Sequence, residues 1–396
     1  MKKAFLLKLF EAFSIQRWND QIRPVIFTEM DKTAHKMIIA YCIAKYEEDN
    51  GSEIKWNDII KGGVYELLRR IVLSDIKSPV QRNIRKNHKE IYEKLNEWVY
   101  EQLENIIDWV DIKKEFRDYL CNDDYIAKKE LDILKAAHIY ASYWEFSVIK
   151  NMNPHGFQID KIDRLMLNDI GRHLDLVGFK KIMCKENISS FIDLLGQTRF
   201  QIRWSQTPRI PKTSVLGHTL MVAIISYFFT REINGCQERL FNNFYGGIFH
   251  DLPEAVTRDI ISPVKNSVSG LSNIISSIED EMMGKEVFPL IEESWHEQIN
   301  YFIKDEFCSK IKRNGNIEYV TSLEINKRFN SDEFSPIDGE LIKISDHLAA
   351  FIEAYVAISA GIKTRHLEDG MNSILKNNKN KKFCDINIGA IYEDFK

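Results

Sequence analysis

The stretch FHDLPEAVTRDIISPVK, residues 249–265, crowds ionisable side chains into an otherwise apolar segment: His250 beside Asp251, then Glu254, then Asp259. Two further groups stand apart from it. His218 follows Gly217 at the head of the apolar run 219–229, and Asp346 interrupts LIKISDHLAAFIEAYVAIS where the pattern calls for an apolar residue. A lone carboxylate buried there is costly, and a shared cation would remove the cost. Imidazole nitrogen with carboxylate oxygen suits one divalent ion of the Mn, Co, Fe, Ni or Zn kind. His218, His250, Asp251 and Asp346 would leave a coordination position for water, whose pKa such an ion lowers. Glu254, at i+4 from His250 and i+3 from Asp251, shares their helical face and offers a carboxylate for proton transfer. Pro253 removes one helical hydrogen bond and is expected to kink the helix near these groups.

A single histidine is more often a core or surface residue than a ligand. His35, His138, His155, His173, His296, His347 and His366 are read that way, and an isolated His-Asp pair is equally weak evidence. What carries weight is the set: His218, the 250–251 doublet and a buried Asp346, all in helical patterns and in that order.

The elements that must position these groups are helical. LMVAIISYFF (220–229), residues 341–359 and ELDILKAAHIYASYWEF (130–146) read as buried or half-buried helices. At the start of the chain Phe5, Leu6, Leu9, Phe10 and Phe13 recur at helical spacing, which makes that segment an amphipathic helix rather than a signal peptide. The best strand candidate is IEYVTSLEI (317–325), beside Asn314-Gly315, in a small β-hairpin. With only nine prolines, the fold class is all-α. At 396 residues the chain exceeds one hydrophobic core, so two domains are expected.

Composition is that of a globular protein, 44% hydrophobic and 28% charged. A net charge of −4 gives no global attraction to extended nucleic acid or an anionic membrane. No apolar run is long enough to span a bilayer. Six scattered cysteines without a C-x-x-C pair indicate reduced thiols and a cytoplasmic location.

An internal repeat organises the chain. GGVYELLRRIVLSDIKSPV (62–80) aligns without a gap to the stretch beginning at Gly246, every position 184 residues later. Gln16-Arg17-Trp18 aligns with Ile202-Arg203-Trp204, His35 with His218, and AAHIYASYWE (136–145) with SDHLAAFIEA (345–354). Two copies of one helical domain follow, residues 1–176 and 177–396. The first has lost the chemistry: Glu66, Leu67 and Arg70 stand where the second has His250, Asp251 and Glu254, and Asp346 falls opposite Ala136 or Ala137. Asp75 persists opposite Asp259. The first copy is read as a pseudo-domain kept for packing, with nucleotide binding without cleavage as the alternative.

The order H…HD…D resembles the HD-domain metal-dependent phosphohydrolases. Arg203-Trp204 ahead of His218, then HD-x-x-E-x-x-x-x-D-x-x-x-P-V-K and a late Asp346, resembles their bacterial 5′-deoxynucleotidase branch over about residues 188–365. That resemblance implies an all-α fold with His218, His250, Asp251 and Asp346 as metal ligands. It implies Glu254 as the carboxylate that activates water, Arg203 as the phosphate-binding arginine, Trp204 as the residue crowding the sugar, and Asp259 as the partner of the sugar hydroxyl. Gly217 stands where the family often has Glu. The spacing from Asp251 to Asp346 is long, and the excess falls in 305–338, a segment that could form a lid, shape the base pocket or mediate a homodimer.

The implied activity is hydrolysis of a nucleoside 5′-monophosphate, with a 2′-deoxynucleotide as the expected substrate. Nucleoside triphosphates, cyclic nucleotides or alarmones are alternative substrates. From another class, a non-catalytic nucleotide-sensing protein is the second alternative. A dinuclear oxygenase is disfavoured, because no histidine closely follows Asp251.

Overall fold

The computed structural model describes the chain apart from Asp75, Asp259, residues 261–263 and 265–266, Lys396 and the Ser78 side chain. The expected sugar-binding Asp259, its counterpart Asp75, and Pro263 and Lys265 of the motif therefore lie outside the described residues. The structure is all-α; the strands among the described residues form short two-stranded antiparallel pairs. Among the described residues, no helix is long and apolar enough to cross a membrane. Contacts divide the chain into two compact units, Met1–Phe179 with Asp394–Lys396, and Lys180–Glu393.

The first unit is built on three helices, Glu29–Asp49, Trp56–Leu73 and Lys128–Met152. Thr28 caps the first of them by accepting the Asp31 backbone N–H, which satisfies one of the amides left over at a helix start. The N-terminal segment forms the helix Lys3–Phe10 followed by a 3₁₀ turn, Glu11–Phe13. Phe5, Leu6, Leu9, Phe10 and Phe13 are all buried, as their helical spacing requires.

The second unit centres on the helices Val215–Glu232, Gln237–Phe249 and Gly339–Ser359. Ser214 caps the first by accepting from the Gly217 N–H. This helix is buried along almost its whole length, which explains its nearly unbroken apolar sequence. Gly247 lets the second helix close onto it: a Cβ there would lie 2.7 Å from the Ala223 Cα and 2.9 Å from its N. Backbone cannot move aside as a flexible side chain can. Gly247→Ala is therefore expected to destabilise this unit by about 1–3 kcal/mol despite the better helix propensity of alanine. Urea unfolding followed by circular dichroism measures the difference.

The residue 305–338 segment is tied down by a buried ion pair. Arg239 donates to both Asp338 oxygens, from Nε at 2.7 Å and from NH2 at 3.2 Å, and both residues are fully buried. Asn243 adds a third donor to the same carboxylate at 2.9 Å. A buried charge pair is tolerable when its remaining hydrogen-bonding capacity is also met, as it is here by Asn326 and Asn330, which accept from Arg239.

The predicted strand 317–325 is corrected by the structure. The hairpin pairs Lys310–Arg313 with Asn316–Tyr319, turning at Asn314 and Gly315, both with positive φ. That is the conformation the Asn-Gly pair favours in a tight hairpin. Beyond Tyr319 the chain becomes helical, because Thr321 and Glu324 form a reciprocal capping box that starts Ser322–Glu324.

Candidate metal centre in the second unit

The expected continuous helix through His250 and Glu254 is also corrected. The helix Gln237–Phe249 ends before the doublet, His250 serves as its C-cap, and a new short helix runs from Glu254 to Thr257. Pro253 has no N–H to continue the ladder. The intervening residues close as tight turns, with Leu252 N bonded to Phe249 O and Glu254 N to Asp251 O. The break carries His250 and Asp251 out of the helix and toward the other two helices.

His218, in the first turn of its helix, and Asp346, two turns into Gly339–Ser359, meet directly: Nε2 lies 2.9 Å from Oδ1. His250 completes a group whose ligand atoms all lie within 4.8 Å of one another: His218, His250 and Asp346. Both imidazoles are buried, their ring centroids 5.9 Å apart. His250 Nδ1 donates to the Gly247 carbonyl at 2.9 Å. That bond places the hydrogen on Nδ1 and leaves the buried Nε2 with no hydrogen-bond partner, the arrangement of a metal-binding imidazole.

Asp251 stands beside this group rather than within it. Its Oδ2 is 3.2 Å from His250 Nε2 and 3.9 Å from Arg203 NH1. Arg203 reaches in the other direction to Glu353, Nε to Oε2 at 3.4 Å. The guanidinium thus spans two carboxylates beside the centre. Glu254 is buried at the head of its own helical turn, and its backbone carbonyl accepts from Gln201 Nε2 at 3.3 Å.

Trp204 adopts a left-handed backbone, φ 55°. Its indole packs with Ala354, Ala357 and Leu367, and a Cβ on Gly370 would come within 2.8 Å of the ring. Its Nε1 donates to Glu353 Oε2 at 2.8 Å.

Glu353 is the residue that sequence reasoning passed over. It is buried and accepts from Arg203, from Trp204 and from Thr213 Oγ1, the last at 2.9 Å, and its Oε1 faces His218 Nδ1 at 3.4 Å. A carboxylate behind a histidine that points its other nitrogen at the centre fixes the ring and strengthens it as a donor. A signal was present: Glu145 and Glu353 both close the aligned segments, one residue out of step with the register given above.

The electrostatics show a centre short of positive charge. Burial alone would keep His250 neutral, but the Asp251 carboxylate outweighs it and pushes the imidazole up to about 9. Burial and Arg203 oppose a charge on His218 as well, yet Asp346 and Glu353 raise it. Burial resists ionisation of Asp346 and Asp251, and the neighbouring imidazoles hold both below the usual carboxylate range. Two imidazoles that attract protons, beside carboxylates held ionised, are a fitting donor set for a borderline divalent cation.

Residues 195–375 match a family model described as HD domain. That match falls within the second unit and includes His218, His250, Asp251 and Asp346; HD domains are typically metal-dependent hydrolases. No curated protein and no solved structure matches the chain.

Proposed function

We propose that the second unit hydrolyses the phosphomonoester of nucleoside 5′-monophosphates, with 2′-deoxynucleotides as the expected substrates. The observation that carries this reading is the placement of Arg203: its guanidinium edge lies between Asp251 and Glu353, beside the convergent His218, His250 and Asp346. A forked, permanently charged donor next to a divalent-ion site suits a phosphate dianion.

His218, His250 and Asp346, with Asp251 alongside, would hold the ion. When bound it would supply Lewis-acid polarisation of the phosphoryl group and acidify water. The protein's own groups do the rest. Arg203 holds two phosphoryl oxygens and orients phosphorus. Glu254 takes the proton of the attacking water, whose oxygen bonds to phosphorus as the P–O5′ bond breaks. The departing O5′ takes up a proton and leaves as the nucleoside hydroxyl, with inorganic phosphate as the other product. Trp204, locked by Glu353 and Gly370, sets the wall against which the sugar lies, and Asp259 is the proposed partner of the sugar hydroxyl.

Purified full-length protein with Mn²⁺ or Co²⁺ is expected to release inorganic phosphate from a panel of deoxynucleoside monophosphates. Release of pyrophosphate or triphosphate from nucleoside triphosphates or alarmones would replace this substrate assignment. Nucleotide binding without turnover under any divalent ion would favour a sensing role. Arg203→Lys keeps the charge and loses the fork, so KM for the monophosphate is expected to rise about tenfold or more. An unchanged KM would remove Arg203 from the phosphate site.

A further inference from the structure

The first unit repeats the scaffold around this centre in atomic detail. Arg17 Nε and Trp18 Nε1 both donate to Glu145 Oε2 at 2.9 Å, as Arg203 and Trp204 do to Glu353. Trp18 has the same left-handed φ of 55° as Trp204. Gln16 pairs with Thr28 as Ile202 bridges Ser214, and Thr28 and Ser214 each cap the helix that follows. Arg23 donates to the Arg17 carbonyl as Arg209 does to that of Arg203. The tight glycine contact recurs as well, Gly63 on Met37 and Gly247 on Ala223.

These equivalences revise the register of the repeat. Counting from the caps, Thr28 and Ser214, the residue opposite His218 is Lys32, four beyond Thr28, rather than His35. His35 instead packs its buried ring edge-on against Trp144 at 5.3 Å. Counting from Glu145 and Glu353, the residue opposite Asp346 is His138, not an alanine. Glu66 remains opposite His250.

The three counterparts meet. Lys32 Nζ is 2.6 Å from His138 Nδ1, and His138 Nδ1 is 3.2 Å from Glu66 Oε1. Lys36 donates to the other Glu66 oxygen at 2.5 Å, and both lysines are buried. Glu66 and His138 could serve as ligands, but Lys32 Nζ, which burial lowers to about 7, already stands against the His138 Nδ1 that an ion would need.

We infer that the first unit is a second copy of the domain that takes no metal, because the side-chain nitrogen of Lys32 stands in the place of the ion. The cost of burying these groups is met by a lysine in the first copy and would be met by an ion in the second. The charges agree. Burial resists ionisation of Glu66, and Lys36, His138 and Lys32 hold it well below the usual carboxylate range. Burial and Lys32 keep His138 neutral, lowered to about 4. The count of one ion per chain rests on the reading of the second unit; the absence of an ion at Lys32 does not.

Anomalous diffraction from crystals of the full-length chain equilibrated with Mn²⁺ separates the two. No manganese peak among Lys32, Glu66 and His138 is the expected result, whatever is found at His218. A peak coordinated by Glu66 or His138 would overturn the inference. A peak missing at His218, His250 and Asp346 would fail the reading of the second unit alone. The converse test restores donors with Lys32→His, Glu66→His and His138→Asp together. Manganese per chain should rise from one to two, with the added ion retained when Asp346 is replaced. A folded triple variant holding no ion in the first unit would also overturn it, and if that variant does not fold, the wild-type crystal decides.

Discussion

Asp346→Asn is expected to eliminate stable divalent-ion uptake by the second unit and to lower phosphomonoester hydrolysis by about a thousandfold or more. The estimate follows from the several kcal/mol of charge stabilisation that a bound ion contributes at a phosphoryl centre, each ~1.4 kcal/mol being a factor of ten. Asn keeps the volume and can still hydrogen bond, so the helix Gly339–Ser359 should stay in place. It loses the anionic oxygen that lies 2.9 Å from His218 Nε2. Without that charge, the support for a positive centre between the two imidazoles is reduced. Steady-state hydrolysis with saturating Mn²⁺, together with ion content after dialysis, measures both effects. Full activity in a folded Asp346→Asn protein would mean that this carboxylate is no ligand.

The second large effect is expected one layer further out. Glu353→Gln should weaken ion binding about 10–100-fold, the usual consequence of losing the partner that orients a ligating histidine. The same change should destabilise the second unit by about 1–3 kcal/mol. The cause is visible in its contacts. Glu353 is an acceptor for Arg203, Trp204 and Thr213 at once and faces His218 Nδ1. Burial resists its charge, and Arg203 ahead of the other partners holds it well below the usual carboxylate range. A glutamine must turn an NH₂ toward one set of these donors. Ion affinity by calorimetry and thermal unfolding of the ion-free protein separate the two effects. A loss of stability with unchanged affinity would restrict Glu353 to a packing role.

The helical architecture was legible in the sequence because burial imposes period, and Phe5, Leu6, Leu9, Phe10 and Phe13 show that period plainly. Boundaries were less legible, because they depend on single local contests. Pro253 ends a ladder that periodicity alone would continue, and the Thr321–Glu324 capping box turns a strand-like run into helix. At the centre, residues of unusual chemistry in apolar surroundings stand out: His218, His250 and Asp346 could be singled out by type.

Glu353 could not, since a glutamate in a helix resembles a surface residue until Arg203, Trp204 and Thr213 are seen converging on it. The lysine in the first unit was hidden for a different reason. Matching like with like drew His35 onto His218, whereas the register proposed from the caps and the Arg–Trp–Glu contacts brings forward Lys32.

The claim on which hydrolysis depends is that one cation binds among His218, His250 and Asp346. Titration of the ion-free, full-length protein with Co²⁺, followed by visible absorption, tests it most directly. Ligand-field bands that saturate at one equivalent and disappear in His250→Ala are the expected result. Bands of unchanged intensity in that variant, or a spectrum no different from aqueous cobalt in the wild-type protein, would contradict it.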